Sequence, residues 1–259
     1  MMANCDLGQF LPHVSVIMPA YNAERFIEEA IRSVMTQTYT NWELFVIDDC
    51  SKDSTCAIVE KLAAEDQRIT LIRNEVNQGV AKTRNAGFDL CKGGYVALID
   101  SDDVWHMDKL EKQLARLHQT NADFSYCSYA IVDDSGNKVK NDYIVPKCVT
   151  FEDLLGENVI GCSTVMISSD IVRKYHFNTQ FYHEDYVLWL TLLQEGYTAV
   201  GCDEVLVDWR YIVNSRSFDK RSSANHRWRI YREYLKLPWL KSIRAFNAYA
   251  WAGLRKYFG

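Results

Sequence analysis

"VSVIMPAYNAERFIEEAIRSVMTQTYTNWELFVIDD", residues 14–49, carries two different periods in one stretch. Val14 to Met18 is a β-branched run. From Glu24 to Gln37 the apolar residues Phe26, Ile27, Ala30, Ile31 and Val34 then fall on one helical face, and Trp42 to Asp48 is a second apolar run. The rhythm continues with a helix over 54–65 behind a Ser or Asp cap, a strand over 69–73, a helix over 80–91 and a strand over 95–100. Strand, helix and strand in this order predict right-handed crossovers and an α/β fold, with a Rossmann-like, mostly parallel central sheet flanked by helices. Ligands of such sheets sit beyond the carboxyl ends of the strands. Three polar clusters fall there: "PAYN" (19–22), "DDCSKD" (48–53) and "DSDD" (100–103).

Beyond residue 105 the pattern is less regular. A helix is expected over 110–119, two strands over 123–139 joined by a turn at Asp134–Gly136, a short helix over 151–157 and a strand over 163–168. A helix over 182–196 opens on two carboxylates, and a last strand spans 205–211. From about Ser222 the chain predicts one or two amphipathic helices, a C-terminal helical tail. The 259 residues carry a net charge of −5, unevenly spread: Arg210 onward holds twelve Lys and Arg against two Asp and Glu, so the residues before it hold −15. No apolar stretch is long enough for a membrane span, and "MMANCDLGQFLPH" has no secretory pattern, which predicts a cytoplasmic chain. The eight cysteines stand singly, without metal-ligand spacing, and read as reduced thiols.

The acidic cluster at 100–103 carries the most chemistry. Asp100 and Asp102 are two apart at a strand end, so on an extended backbone both point the same way. Two oxygen ligands with positions left open suit Mg²⁺ or Mn²⁺ shared with a substrate diphosphate. The plainer alternative is a cap for the helix that starts near Met107. Tyr21 offers a ring for a base, and Asp49 an acceptor for base or ribose. Arg84, on the helix after "NQG", has reach toward a base or phosphate, or else makes a surface ion pair. No G-x-G-x-x-G follows the first strand, which disfavours a dinucleotide-dependent dehydrogenase. Glu184 and Asp185 sit at a helix start, either as an acidic first turn or with one of them as a general base.

"VSVIMPAYNAERFIEEAIRSVMTQTYTNWELFVIDDCSKDST", "NQGVAKTRNAG", "YVALIDSDDVW" and "EDYVLWLTLL", in this order over roughly 13–215, resemble the family 2 glycosyltransferases. The resemblance implies a GT-A fold and an inverting, metal-dependent transfer from a nucleotide sugar, most often on UDP. It implies a donor-binding set of Pro19, Tyr21, Asn22, Asp49, Arg84, Asp100 and Ser101, a metal pair of Asp100 and Asp102 with Asp102 bound directly, and Asp185 as the catalytic base. It also implies a catalytic domain over 13–221, with a nucleotide-sugar half (13–103) and an acceptor half (104–221), followed by a basic aromatic tail over 222–259. Processive members carry QxxRW and several membrane spans. "ANHRW" (224–228) keeps Arg227 and Trp228 but has Ala224 in place of the Gln, so single addition fits better.

The partners expected are therefore a nucleotide sugar, a glycan or lipid-linked glycan acceptor and, through the tail, an anionic membrane surface, with no nucleic acid. In the tail Leu240, Ile243, Phe246 or Asn247, Ala250, Trp251, Leu254 and Tyr257 or Phe258 recur at helical spacing, with Lys241, Arg244, Arg255 and Lys256 mainly off that stripe. Such a helix either packs on the domain or lies in a membrane interface. Two rival functions are a nucleotidyltransferase, which would release pyrophosphate from a nucleoside triphosphate, and a non-catalytic nucleotide-sugar-binding module.

Overall fold

The computed structural model describes residues 12–212 and 220–258, the side chains of 220, 221 and 254–258 excepted. Its first half follows the alternating rhythm closely. Strands β1 (Val14–Ala20), β2 (Trp42–Asp48), β3 (Ile69–Arg73) and β4 (Tyr95–Leu98) pair in parallel in the order β3-β2-β1-β4. Helices α1 (Ile27–Met35), α2 (Thr55–Glu65) and α3 (Val80–Phe88) make the crossovers. All of β1 is buried, because its two faces feed two cores. Val14, Val16 and Met18 pack with α1 and α2, while Ile17 faces the other way toward Phe88 of α3.

The second half departs from a mostly parallel sheet. After β5 (Val104–Trp105) and α4 (Lys109–Thr120) come β6 (Phe124–Val132), β7 (Lys138–Tyr143), β8 (Cys148–Val149), α5 (Phe151–Gly156), a 3₁₀ turn (Cys162–Thr164) and β9 (Met166–Ser168). Helices α6 (Ser169–Val172) and α7 (Glu184–Gln194) then lead to β10 (Ala199–Arg210). The sheet runs on as β4-β9-β6-β10-β5, with β9 antiparallel to both neighbours and only β6 and β10 parallel. A further antiparallel strand, β7, pairs with β6 off this path, and that pairing alone has a local cause: the short turn between them, closed by Asp133 on the N–H groups of Ser135 and Asn137, permits only an antiparallel return. The strand expected over 163–168 begins instead as the 3₁₀ turn, and the last strand starts six residues early, at Ala199.

The tail forms α8 (Lys220–Arg229), a π-helical turn (Ile230–Tyr234) and α9 (Trp239–Phe258). It shares the core of the body, since Ile230, Tyr231, Leu237 and Ala245 join the cluster built by α3, α5 and α7. Along α9 the buried face is Ser242, Ala245 and Ala252, small residues that let the helix lie close to α5. The described cysteines are all free thiols.

Candidate active site

A cleft of about 1160 Å³ opens beyond the carboxyl ends of the parallel strands. Pro19, Tyr21, Asp49, Arg84, Asp100, Ser101, Asp102 and Asp185 all line it. Asn22, expected among them, does not. It stands outside the cleft at φ +49°, where its Oδ1 accepts the Lys52 N–H at 2.8 Å and its own N–H reaches Ser51 Oγ at 2.9 Å. Asn tolerates this left-handed backbone better than most residues, so its role is to tie the loop after β1 to the loop after β2.

Asp49 is occupied more heavily than a simple ligand for base or ribose would be. Its Oδ1 accepts from Asn74 Nδ2 and Gln78 N–H at 2.9 and 2.8 Å, and its Oδ2 from Gly79 N–H at 2.8 Å. Burial works against its ionised form, but these donors outweigh it and hold the carboxyl below its ordinary value. Gly79 begins α3 at φ +84°, a conformation that favours glycine. About two turns further on, a Cβ at Gly87 would lie 2.5 Å from Ile17 Cγ2. The two glycines thus set where α3 starts and how close it comes to β1, and α3 carries Arg84.

Arg84 is neither a surface ion pair nor simply a hand held out to a phosphate. It is buried, with Nη2 on Asp100 Oδ1 at 2.6 Å and Nη1 on Glu184 Oε1 at 2.9 Å. One guanidinium therefore joins the acidic turn to the first residue of α7. Glu184 is more than an acidic first turn, and Asp185 is left beside it at the cleft. The Asp185 Oδ1 accepts its neighbour Tyr186 N–H at 2.7 Å. Burial raises its carboxyl above the ordinary range, with the charge of Asp100 adding and Arg84 and Arg227 opposing.

The segment 100–103 is a turn, not an extended strand end, so strand alternation does not align its side chains. Asp103 N–H donates to Asp100 O at 3.2 Å. Asp100 and Asp102 line the cleft while Asp103 turns inward, 1% exposed. The helix-cap alternative also falls, because α4 has Asp108 at its N-cap position, seven residues past Ser101. Burial, then the charge of Asp100, pushes the Asp102 carboxyl up to about 6. A buried Asp102 carboxyl with a second carboxylate beside it fits a divalent cation, whose charge would offset both the burial and the repulsion. Among the described residues no group of three or more His, Cys, Asp or Glu could hold a metal, so a cation here would draw further ligands from substrate and water.

Sequence reasoning missed six residues of this cleft. Ser163 and Arg210 support the acidic turn from behind. Tyr129 and Trp209 line the far end from β6 and β10, and Tyr182 and His226 line it with rings stacked 4.8 Å apart. No local motif marks any of these; they are brought in by long-range strand and helix pairing. Arg227 and Trp228 point elsewhere. Arg227 lies over the rings of Tyr186 and Tyr249, at 3.6 and 4.8 Å, and Trp228 packs against Trp239 and Phe246 of α9.

The Glycosyl transferase family 2 model matches residues 15–176. The chain belongs to this family. TuaG of Bacillus subtilis (strain 168), a glycosyltransferase named for teichuronic acid biosynthesis, is 37% identical over 245 residues, covering 95% of this chain and 97% of its own. WfgD of Escherichia coli, a UDP-Glc:alpha-D-GlcNAc-diphosphoundecaprenol beta-1,3-glucosyltransferase, is 35% identical over 94% of each chain. Among solved structures, S. aureus TarS 1-349 in complex with UDP-GlcNAc superposes with a TM-score of 0.73 at 20% identity, covering 92% of this chain and 71% of that one. The last likeness bears on the fold alone. This glycosyltransferase therefore has the α/β architecture expected of its family, a central sheet flanked by helices with a C-terminal helix.

Proposed function

We propose that this family 2 enzyme transfers one sugar from a UDP-sugar to a hydroxyl of a polyprenyl-diphosphate-linked glycan, with inversion, in the synthesis of a cell-surface polysaccharide such as a capsule or O-antigen. The observation that carries the reading is the meeting, in one cleft, of the Asp100–Asp102 turn with an Asp185 carboxyl of raised basicity. Tyr21 and the backbone at Pro19 take the nucleoside, beside the loop that Asp49 holds in place. Asp100 and Asp102 would hold Mn²⁺ or Mg²⁺, which would supply Lewis-acid charge for the departing diphosphate. Asp185 removes the proton from the acceptor hydroxyl as that oxygen attacks the anomeric carbon. A single base and a single displacement give inversion. The cleft exceeds the ~300–1,000 Å³ of an ordinary small-molecule pocket, which suits a donor and an acceptor bound together. The names of WfgD and TuaG support a lipid-linked acceptor and an envelope polysaccharide.

The tail supports a peripheral place on the cytoplasmic face of the inner membrane. No helix among the described residues is long and apolar enough to cross a membrane. Yet Trp239, Leu240, Ile243 and Trp251 are 63, 76, 45 and 63% exposed along α9, opposite its small-residue face. Arg244 is exposed beside them, whereas Lys241 is paired with Glu152 at 2.5 Å. The side chains at 254–258, including Arg255 and Lys256, lie outside the described residues. An apolar stripe with flanking basic charge fits an anionic lipid surface.

Two experiments test these readings. A panel of nucleotide sugars is measured for protection against thermal unfolding, with and without Mn²⁺, and then for transfer to an N-acetylglucosamine diphosphate lipid with anomeric NMR of the product. Protection by UDP-sugars only with metal, and an inverted product, are expected; full turnover in excess EDTA or a retained anomer refutes the mechanism. In liposome flotation, serine at Trp239, Leu240, Ile243 and Trp251 together should abolish binding to anionic vesicles, and equal binding by both proteins rejects the tail as the anchor.

A further inference from the structure

We infer that Ser163 and Asp103 form a positioning pair that holds the 100–103 turn in the shape its two cleft-lining carboxylates require. The inference rests on the reading of Asp100 and Asp102 as the cation's ligands. A four-residue turn closed by one hydrogen bond of 3.2 Å has little of its own to resist the repulsion between carboxylates at 100 and 102. The resistance comes from outside the turn. Ser163 Oγ accepts the Asp100 N–H at 2.9 Å and donates to Asp103 Oδ2 at 2.5 Å, so one hydroxyl pins both ends. The other Asp103 oxygen accepts the Arg210 N–H at 2.9 Å, and Arg210 Nε donates to the Asp102 carbonyl at 2.8 Å.

The brace is itself fixed. Trp105 Nε1 donates to the Ser163 carbonyl at 2.9 Å, and the Arg210 guanidinium reaches Glu29 Oε2 at 2.7 Å. Asp103, Ser163 and Arg210 are 1, 3 and 4% exposed, so water does not easily replace a lost partner. The chemistry also explains the residue types. A hydroxyl accepts and donates at once, which is what a link between an N–H and a carboxylate needs. Asp103 has an interior donor on each oxygen and lies beneath the turn, so it braces the site and does not ligate the cation.

The test reads cation binding directly. Mn²⁺ is titrated into wild type, Ser163→Ala and Asp103→Asn in the presence of UDP, with binding followed by loss of the free-ion EPR signal and folding by circular dichroism and thermal midpoint. Each variant should bind Mn²⁺ at least about tenfold more weakly, since Asp103→Asn loses about one buried hydrogen bond and Ser163→Ala loses both that its hydroxyl makes. If either variant does not fold, the other decides. Mn²⁺ affinity within about twofold of wild type in a folded variant, whatever its thermal midpoint, overturns the positioning role. Absence of Mn²⁺ binding by wild type with UDP would instead refute the cation reading, and this inference with it.

Discussion

Arg84→Met offers the sharpest check on how the site is held together. In the native protein the Arg84 and Glu184 side chains are 6 and 8% exposed, while Asp100 is 33% exposed. Removing one partner of a buried ion pair costs about 3–5 kcal/mol, because the other charge stays behind in a poor environment. The more open Asp100 contact adds at most about 1 kcal/mol. Against a typical total of roughly 5–15 kcal/mol, the variant should fold but be marginal, with a thermal midpoint lowered by roughly 6–24 °C at about 2–4 °C per kcal/mol. Glu184→Gln removes the charge that Arg84 would leave behind. Combining the two should therefore cost about 1–3 kcal/mol less than the sum of the single changes. Urea unfolding of the four proteins measures that coupling, with UDP affinity by calorimetry alongside. Additivity within about 0.5 kcal/mol would refute the idea that Arg84 serves these carboxylates. A loss of UDP affinity as large as the loss of stability, and undiminished in the Glu184→Gln background, would return Arg84 to the role of a phosphate ligand.

Asp185→Asn should leave UDP binding by calorimetry intact and lower transfer by about 10²–10⁴-fold; near wild-type turnover would move the base elsewhere, with Glu184 next in line. Because burial raises the Asp185 carboxyl and the base works only when ionised, wild-type kcat/KM should fall on acidification at a pH above the ordinary carboxylate range, a limb read from the pH profile of kcat/KM, which reports the free enzyme. In EDTA, the Asp102 carboxyl titrates near 6 when folded and lower when unfolded, so it disfavours folding increasingly as pH rises toward 6. Asp102→Asn should accordingly gain stability relative to wild type between about pH 4 and 6, and Mn²⁺ with UDP should stabilise only the wild type. Gly87→Ala forces a methyl against Ile17 Cγ2 and should cost about 1–3 kcal/mol by overpacking, visible as a lower urea midpoint.

What the chain reveals without its structure divides by the range of the contacts involved. The parallel half was legible because each strand and helix there declares itself by its own period: β2 and β3 have the predicted bounds, Trp42–Asp48 and Ile69–Arg73. The half after Trp105 was not, since β8, β9 and β10 are defined by partners far away in sequence. The site shows the same division at finer grain. That an acidic cluster lies at the cleft follows from its place after an apolar run, but three aspartates in "DSDD" look alike on paper. Only the turn decides that Asp103 faces inward, and only Ser163, sixty residues on, explains why it is satisfied there.

The tail is the clearest case of a pattern that is real and yet ambiguous in direction. Helical spacing of Leu240, Ile243 and Trp251 is what a core-facing helix would show, and by hydrophobicity alone that stripe would be buried. The body instead takes the opposite face, because α5 at Gly156 leaves room only for a close approach: a Cβ there would stand 3.2 Å from Ala248 Cβ. Small residues at Ser242, Ala245 and Ala252 permit that contact, and bulky ones would not. The large apolar side chains are thereby turned outward as a consequence of packing, on a helix whose Tyr249 also meets Arg227, itself stacked on the residue next to Asp185. The same helix that presents an apolar stripe to its surroundings is thus in contact, through two stacked side chains, with the helix that carries the proposed base.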